Sequence, residues 1–219
     1  KRPMDSDDLF VRVVTCTGLY KTSFIRENQI QYNETPGAAF QDQGFWFQTT
    51  ALANRMMFVN QAFYYYRFDN ENSSINSYKV ISTMNTEYEL NKQIAKKHED
   101  KHEKIIAFYW RARFAMTLFS CRQMGEDVTP EAVKPFCDSF AKASQSGELD
   151  TSFFTEDQLL ALSYAVSGPE KFSKMQKGNL KWNALLRKCK HRPGPLRKIF
   201  FHLRAFGVKL TIDKLLGRM

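Results

Sequence analysis

Asp42 is the side chain in this sequence whose type and setting best suit chemistry. It follows the turn Thr35-Pro36-Gly37 and stands with Gln41 directly before an apolar helix start, Gly44-Phe45-Trp46-Phe47. In that turn Pro fixes one backbone angle and Gly can supply a positive one. A carboxylate at a helix head is held ionised by the helix dipole and aimed by rigid backbone, so it can act as a general base. It can equally be a plain N-cap, and spacing alone leaves both readings open. Downstream, a β-rich segment from Met56 to Arg67 runs into Asp69-Asn70-Glu71-Asn72-Ser73-Ser74, too polar to be anything but a loop. A carboxylate at a turn-to-helix junction and a polar loop after a strand is a workable plan for an active site.

The elements that must position these residues can be read from pattern. Val11 to Thr17 is β-branched and reads as a strand, followed by a short helix over Ser23 to Asn28. In Met56–Arg67 the aromatics Phe63-Tyr64-Tyr65-Tyr66 alternate between two faces, as in a strand or two short strands broken near Asn60-Gln61. From Ser77 the pattern turns helical. The charged run Glu87–Lys104 reads as one or two solvated helices, and Ile105–Phe119 as a buried one. Thr129-Pro130-Glu131 is a helix start and Gly147 a stop; Thr155-Glu156-Asp157 starts another helix, ended by Ser167-Gly168-Pro169.

The order turn-Pro-Gly, Phe-Gln-Asp, Gly-Phe, Ala-x-Arg, Tyr-Tyr-Tyr-Arg, Asn-Ser-Ser resembles the second half of the catalytic domain of bacterial family 2 glycosyltransferases. These are inverting GT-A enzymes that build surface polysaccharides from nucleotide sugars. The resemblance covers about residues 10–80 and the helical remainder only loosely. It implies a mostly helical α+β fold. Residues 1–80 would be the acceptor-side portion of the GT-A domain, 81–192 a helical region, and 193–219 basic amphipathic C-terminal helices. It also implies that Asp42 is the base that deprotonates the acceptor hydroxyl, although the acid that usually precedes it is here Gln41. Trp46, on the face of Asp42, and Tyr20, at a strand-to-helix junction bordering the acceptor sugar, become acceptor-binding candidates; core packing is the competing reading of each. Arg67 would grip the donor diphosphate, its alternative being a surface salt bridge. Asp69 occupies the place of the family's metal-binding His. It could offer an oxygen to Mn²⁺ or Mg²⁺, or simply form a turn. Loop 70–76 would be a lid over the donor.

In that family a nucleotide-binding half precedes this region and ends in a metal-binding Asp-x-Asp. Asp5-Ser6-Asp7-Asp8 does not end an apolar strand and reads as loop or cap. The expectation is therefore a C-terminal portion of a longer enzyme, inactive alone, whose divalent cation is mostly held by the missing half. The partial sheet would have an exposed edge, which a homodimer could cover. Implied partners are a UDP-linked sugar and a surface-glycan acceptor, lipid-linked in some polysaccharide systems. The location would be cytoplasmic, at the inner face of the cell membrane.

Composition bounds these readings. With 43% apolar and 14% aromatic residues in 219, the chain can bury a core. It has no uncharged apolar run long enough to span a bilayer and no signal-peptide pattern. Cys16, Cys121, Cys137 and Cys189 are scattered and read as thiols of a reducing compartment. His98 and His102 share a helix face, but the lysines around them favour solvated histidines over a metal site.

Fourteen Lys or Arg and one acid lie in 171–219, of chain totals of 32 and 23, so the +9 net charge belongs to the tail. Leu196, Ile199, Phe200, Leu203 and Phe206 form an apolar stripe there, with Arg197, Lys198 and Arg204 outside it. Such a helix can lie on an anionic membrane or pack on the body. The alternative function is accordingly a non-catalytic helical docking module that binds an anionic membrane or protein partner. No nucleic-acid module is recognisable, so no nucleic-acid partner is expected.

Overall fold

The computed structural model describes residues 15–34, 40–59, 61–65, 67, 80–100, 104–187, 194–195, 198–200, 202–203, 205–206 and 211, with backbone alone at 80–83 and 186–187. The described residues are mostly helical: α1 (Thr22–Glu27), α2 (Gln41–Leu52), α3 (Val80–Lys97), α4 (Ile105–Met124), α5 (Pro130–Gln145), α6 (Glu156–Val166) and α7 (Pro169–Arg187). Two short 3-10 turns, Thr15–Thr17 and Gly125–Asp127, also occur, and residues 195, 198–200, 202–203, 205–206 and 211 of the C-terminal segment are helical.

No strand occurs among the described residues, which corrects two expectations. Thr15–Thr17, expected to end a strand, is a 3-10 turn; 11–14 lie outside the described residues. The described part of Met56–Arg67 is irregular backbone with no ladder, and it is exposed, with Met57 83% and Tyr65 97% accessible. β-Branched and aromatic residues fit a pleated surface, but a strand exists only where a neighbour supplies its hydrogen bonds.

The chain divides into two compact units, Lys1–Met116 with Asp150–Phe153, and Thr117–Leu149 with Phe154–Met219. The sequence had placed the first division at 80. Helix α2 accounts for the difference. Every residue from Gln43 to Leu52 is buried, so the helix needs cover on all sides, and the residues that follow 80 supply it. Phe47 stacks on Phe108 of α4 at 5.3 Å, Trp46 lies 5.5 Å from the same ring, and Tyr109 meets Phe47 edge-on.

Helix α3 is not the solvated helix its charges imply. Met84, Glu87, Tyr88, Asn91, Ala95 and, just past its end, His98 are buried at helical spacing. His98 is thus a core histidine rather than a solvated one, and His102 lies outside the described residues. Ile105 to Phe114 is buried at most positions, as the apolar run predicts. Its one deeply buried cation, Arg113, donates from Nη1 to Glu89 Oε1 at 2.8 Å and to the Tyr109 hydroxyl at 2.7 Å. A charge so enclosed is tolerable only when paired in this way.

In the second unit the helix ends fall where the sequence punctuates. Thr129 accepts from the Ala132 amide with Pro130 at the first helical position, and Gly147, at φ 73°, follows α5. Helix α6 starts after Thr155 and ends before Gly168, and α7 opens at Pro169. Helices α5, α6 and α7 pack on one another, with Phe136, Phe140 and Phe172 at the centre.

Candidate functional site at the head of helix α2

Helix α2 begins abruptly. Its N-cap is Phe40 in a left-handed conformation (φ 69°), which offers the first turn no side-chain hydrogen bond. A bulky residue at positive φ costs on the order of 1–3 kcal/mol and persists only where its surroundings hold it. Asp42 therefore sits inside the first turn and is not the cap. Its carboxylate is half-buried, accepts from Gln43 Nε2 at 3.2 Å and lies where the helix dipole favours an anion. This geometry removes the N-cap reading and leaves a carboxylate at a helix head with partial access to solvent.

Beneath the helix head lies a second carboxylate. Glu87 of α3 has no accessible surface, and its Oε1 accepts from Asn33 Nδ2 at 2.7 Å. The Gly44 backbone lies close against the same carboxylate. Burial pushes Glu87 above the ordinary carboxylate range, against the hydrogen bond from Asn33 and the nearby Gly44 backbone, and the neighbouring Asp42 charge adds to the rise. Gly44 is what lets the carboxylate approach. A β-carbon there would fall on Glu87 Oε1 and 2.7 Å from Asn33 Nδ2.

The segment carrying Asn33 is fixed by Gln48. Gln48 Nε2 donates to the Gln31 carbonyl at 2.7 Å and to Gly44 O at 3.2 Å, and Gln48 Oε1 accepts from the Gln31 amide at 3.4 Å. A side-chain amide here does the work of a neighbouring strand. It also sets Tyr32, which stacks on Phe45 at 4.6 Å with its ring half-exposed, while Tyr20 meets Phe45 edge-on at 5.1 Å. Phe45 is three residues beyond Asp42, so this aromatic cluster lies one helical turn from the carboxylate. Burial, then the Tyr32 phenol and the Cys16 thiol, raise the Tyr20 phenol above its ordinary value.

The residues singled out from the sequence are thus distributed unevenly. Asp42 and Tyr20 lie around the head of α2. Trp46, only 9% exposed, is turned to the core against Phe108, which is a packing position. Arg67 is exposed at the end of the irregular segment, and Asp69 with loop 70–76 lies outside the described residues. Sequence reading missed Glu87, Asn33 and Tyr32. The available signal for Glu87 was its place on the stripe Met84, Tyr88, Asn91, Ala95, where a solvated glutamate does not belong.

Among the described residues no group of three or more His, Cys, Asp or Glu side chains could hold a metal ion. The described residues alone therefore do not fit the divalent cation that the resemblance implies. No helix among them is long and apolar enough to cross a membrane. Comparison with protein-family models, with curated proteins and with solved structures finds no match to the chain.

Proposed function

We propose that this chain carries the acceptor-side portion of an inverting glycosyltransferase that transfers a sugar from a UDP-linked donor to a surface-glycan acceptor. Asp42 is its general base. The observation that carries this reading is the setting of Asp42: a half-buried carboxylate in the first turn of α2, behind a left-handed Phe40 and beside an aromatic cluster. Asp42 takes the proton of the acceptor hydroxyl as that oxygen attacks the anomeric carbon, and the nucleoside diphosphate leaves from the opposite face. Tyr20 and Tyr32 flank the acceptor. Arg67 serves the donor diphosphate. A divalent cation, when bound, would neutralise the leaving diphosphate; its ligands belong outside the described residues, Asp69 among them.

The test is an assay of the full-length protein, wild type and Asp42→Asn, against a panel of UDP-sugars with Mn²⁺ and glycan acceptors. The expected result is a loss of about 10²–10⁴-fold in kcat with donor binding retained. An active wild type with an equally active Asp42→Asn variant would end the assignment of the base.

One observation favours a second reading, a peripheral docking role for the basic tail. His202 and Phe206 pack on Trp182 of α7, at 5.6 Å and 6.4 Å, while Phe200 is 56% and Leu203 37% exposed. Exposed apolar residues on a basic segment fit an anionic membrane surface. Flotation with phosphatidylglycerol vesicles, lost in Phe200→Ser/Leu203→Ser and absent with phosphatidylcholine, would support it. Equal flotation of variant and wild type would remove it.

A further inference from the structure

Resting on the assignment of Asp42 as the base, we propose that Glu87 is its positioning residue: through its hydrogen bond from Asn33 and its close packing against the Gly44 backbone it fixes the head of α2 and hence the direction of the Asp42 carboxylate.

A buried carboxylate is a costly way to fill space between two helices. Removing it from water is unfavourable, and an apolar side chain of the same volume would hold α2 to α3 without that penalty. The place of Glu87 is nevertheless specific. Its Oε1 reaches Asn33 Nδ2 at 2.7 Å, and Gly44 is the residue that leaves room for it. One carboxylate thereby meets three parts of the first unit: α3, which carries it, the segment 30–33 that Gln48 clamps, and the start of α2 at Gly44.

At the helix head Phe40 is the cap, without a side-chain hydrogen bond of its own and in a strained conformation. The carboxylate of Glu87, packed against Gly44, resists rotation or fraying of the turn that carries Asp42. Its environment is also left polar rather than sealed. Glu87 Oε2, Gln43 Oε1 and both amide atoms of the fully buried Asn91, one turn along α3, have no hydrogen-bond partner.

The experiment uses the full-length enzyme with Glu87→Ala, Glu87→Gln, Asn33→Ala and Asp42→Asn. Two readouts are taken on protein verified as folded: kcat with donor and acceptor KM, and amide hydrogen exchange over residues 41–45. The expected result is a loss of about 10²-fold in kcat for Glu87→Ala at little change in donor KM, the scale of a misaimed catalytic group. Exchange at Gln43 and Gly44 should accelerate in the same variant. Glu87→Gln keeps the accepting oxygen and should recover kcat to within about tenfold of wild type, the size of one weakened charge-assisted hydrogen bond. Asn33→Ala should fall between the two.

A Glu87→Ala enzyme with reduced stability but wild-type kcat and wild-type exchange at 41–45 would overturn the proposal and leave Glu87 a structural residue. If Glu87→Ala does not fold, Asn33→Ala and Glu87→Gln decide alone: wild-type kcat and exchange in both overturn it. Asp42→Asn separates the two failures. An inactive Asp42→Asn beside a fully active Glu87→Ala sinks the positioning role only, and a fully active Asp42→Asn sinks the base assignment beneath it.

Discussion

The carboxylate of Glu87 occupies the space that a β-carbon on Gly44 would need. A glutamate of α3 and a glycine in the first turns of α2 are thus matched to one another, although 43 residues separate them in the chain. The match also decides how the head of α2 is built, because only a residue without a side chain lets a buried acid pack that close to the helix backbone.

Gly44→Ala tests this relationship. Helix propensity alone would favour alanine by about 1 kcal/mol. Overpacking against Glu87 and Asn33 should outweigh that and destabilise by about 1–3 kcal/mol. In a Glu87→Ala background only the 2.7 Å approach to Asn33 Nδ2 remains, on a side chain freed from its partner, so the same substitution should cost much less. Urea denaturation of the four proteins closes the cycle, and additive effects would show that the two residues do not meet.

Stability should fall as pH rises through the Glu87 transition. Its pKa in the fold is raised above the ordinary 4.5, so the folded state holds the proton more tightly than the unfolded state. The stabilisation is fully present below about 4.5 and is lost as pH climbs through the raised folded value. Glu87→Gln removes the titration. The difference in Tm between wild type and Glu87→Gln, followed from pH 4 to 8, should therefore move against wild type as pH increases; a flat difference would mean that Glu87 does not titrate abnormally.

Gly178→Ala should loosen the C-terminal segment from α7. A β-carbon at 178 would stand 2.5 Å from Phe206 Cδ1 and 3.1 Å from the Ala205 carbonyl, too close for the tail to keep its place. At about 1.4 kcal/mol or more of overpacking, the open population rises about tenfold. Limited trypsin cleavage within 197–204 should accelerate by a similar factor. An unchanged rate would show that the tail does not rest on Gly178 in solution.

Thiol reactivity should follow burial. Cys16 is exposed, whereas burial pushes both Cys121 and Cys137 up to about 12. At pH 8 the latter two present almost no thiolate, and thiolate is the reactive form. Iodoacetamide with peptide mapping should modify Cys16 in the native protein, and Cys121 and Cys137 only after denaturation.

The sequence by itself determined what is local. Thr129-Pro130 and Gly147 bound α5, and Thr155 and Gly168-Pro169 bound α6, because caps and breakers act on their own backbone. The apolar run of α4 marked a buried helix, and a carboxylate at the start of α2 could be located from the turn before it. Tertiary structure alone decided what depends on distant partners. Asn33 reaches Glu87 across 54 residues, and in the sequence that glutamate is one charge in a charged helix. Whether it faces water or α2 depends on how the helices pack. The same dependence explains why Met56–Arg67, with the composition of a strand, forms no ladder among the described residues: a strand is a property of a pair, and composition describes only one member.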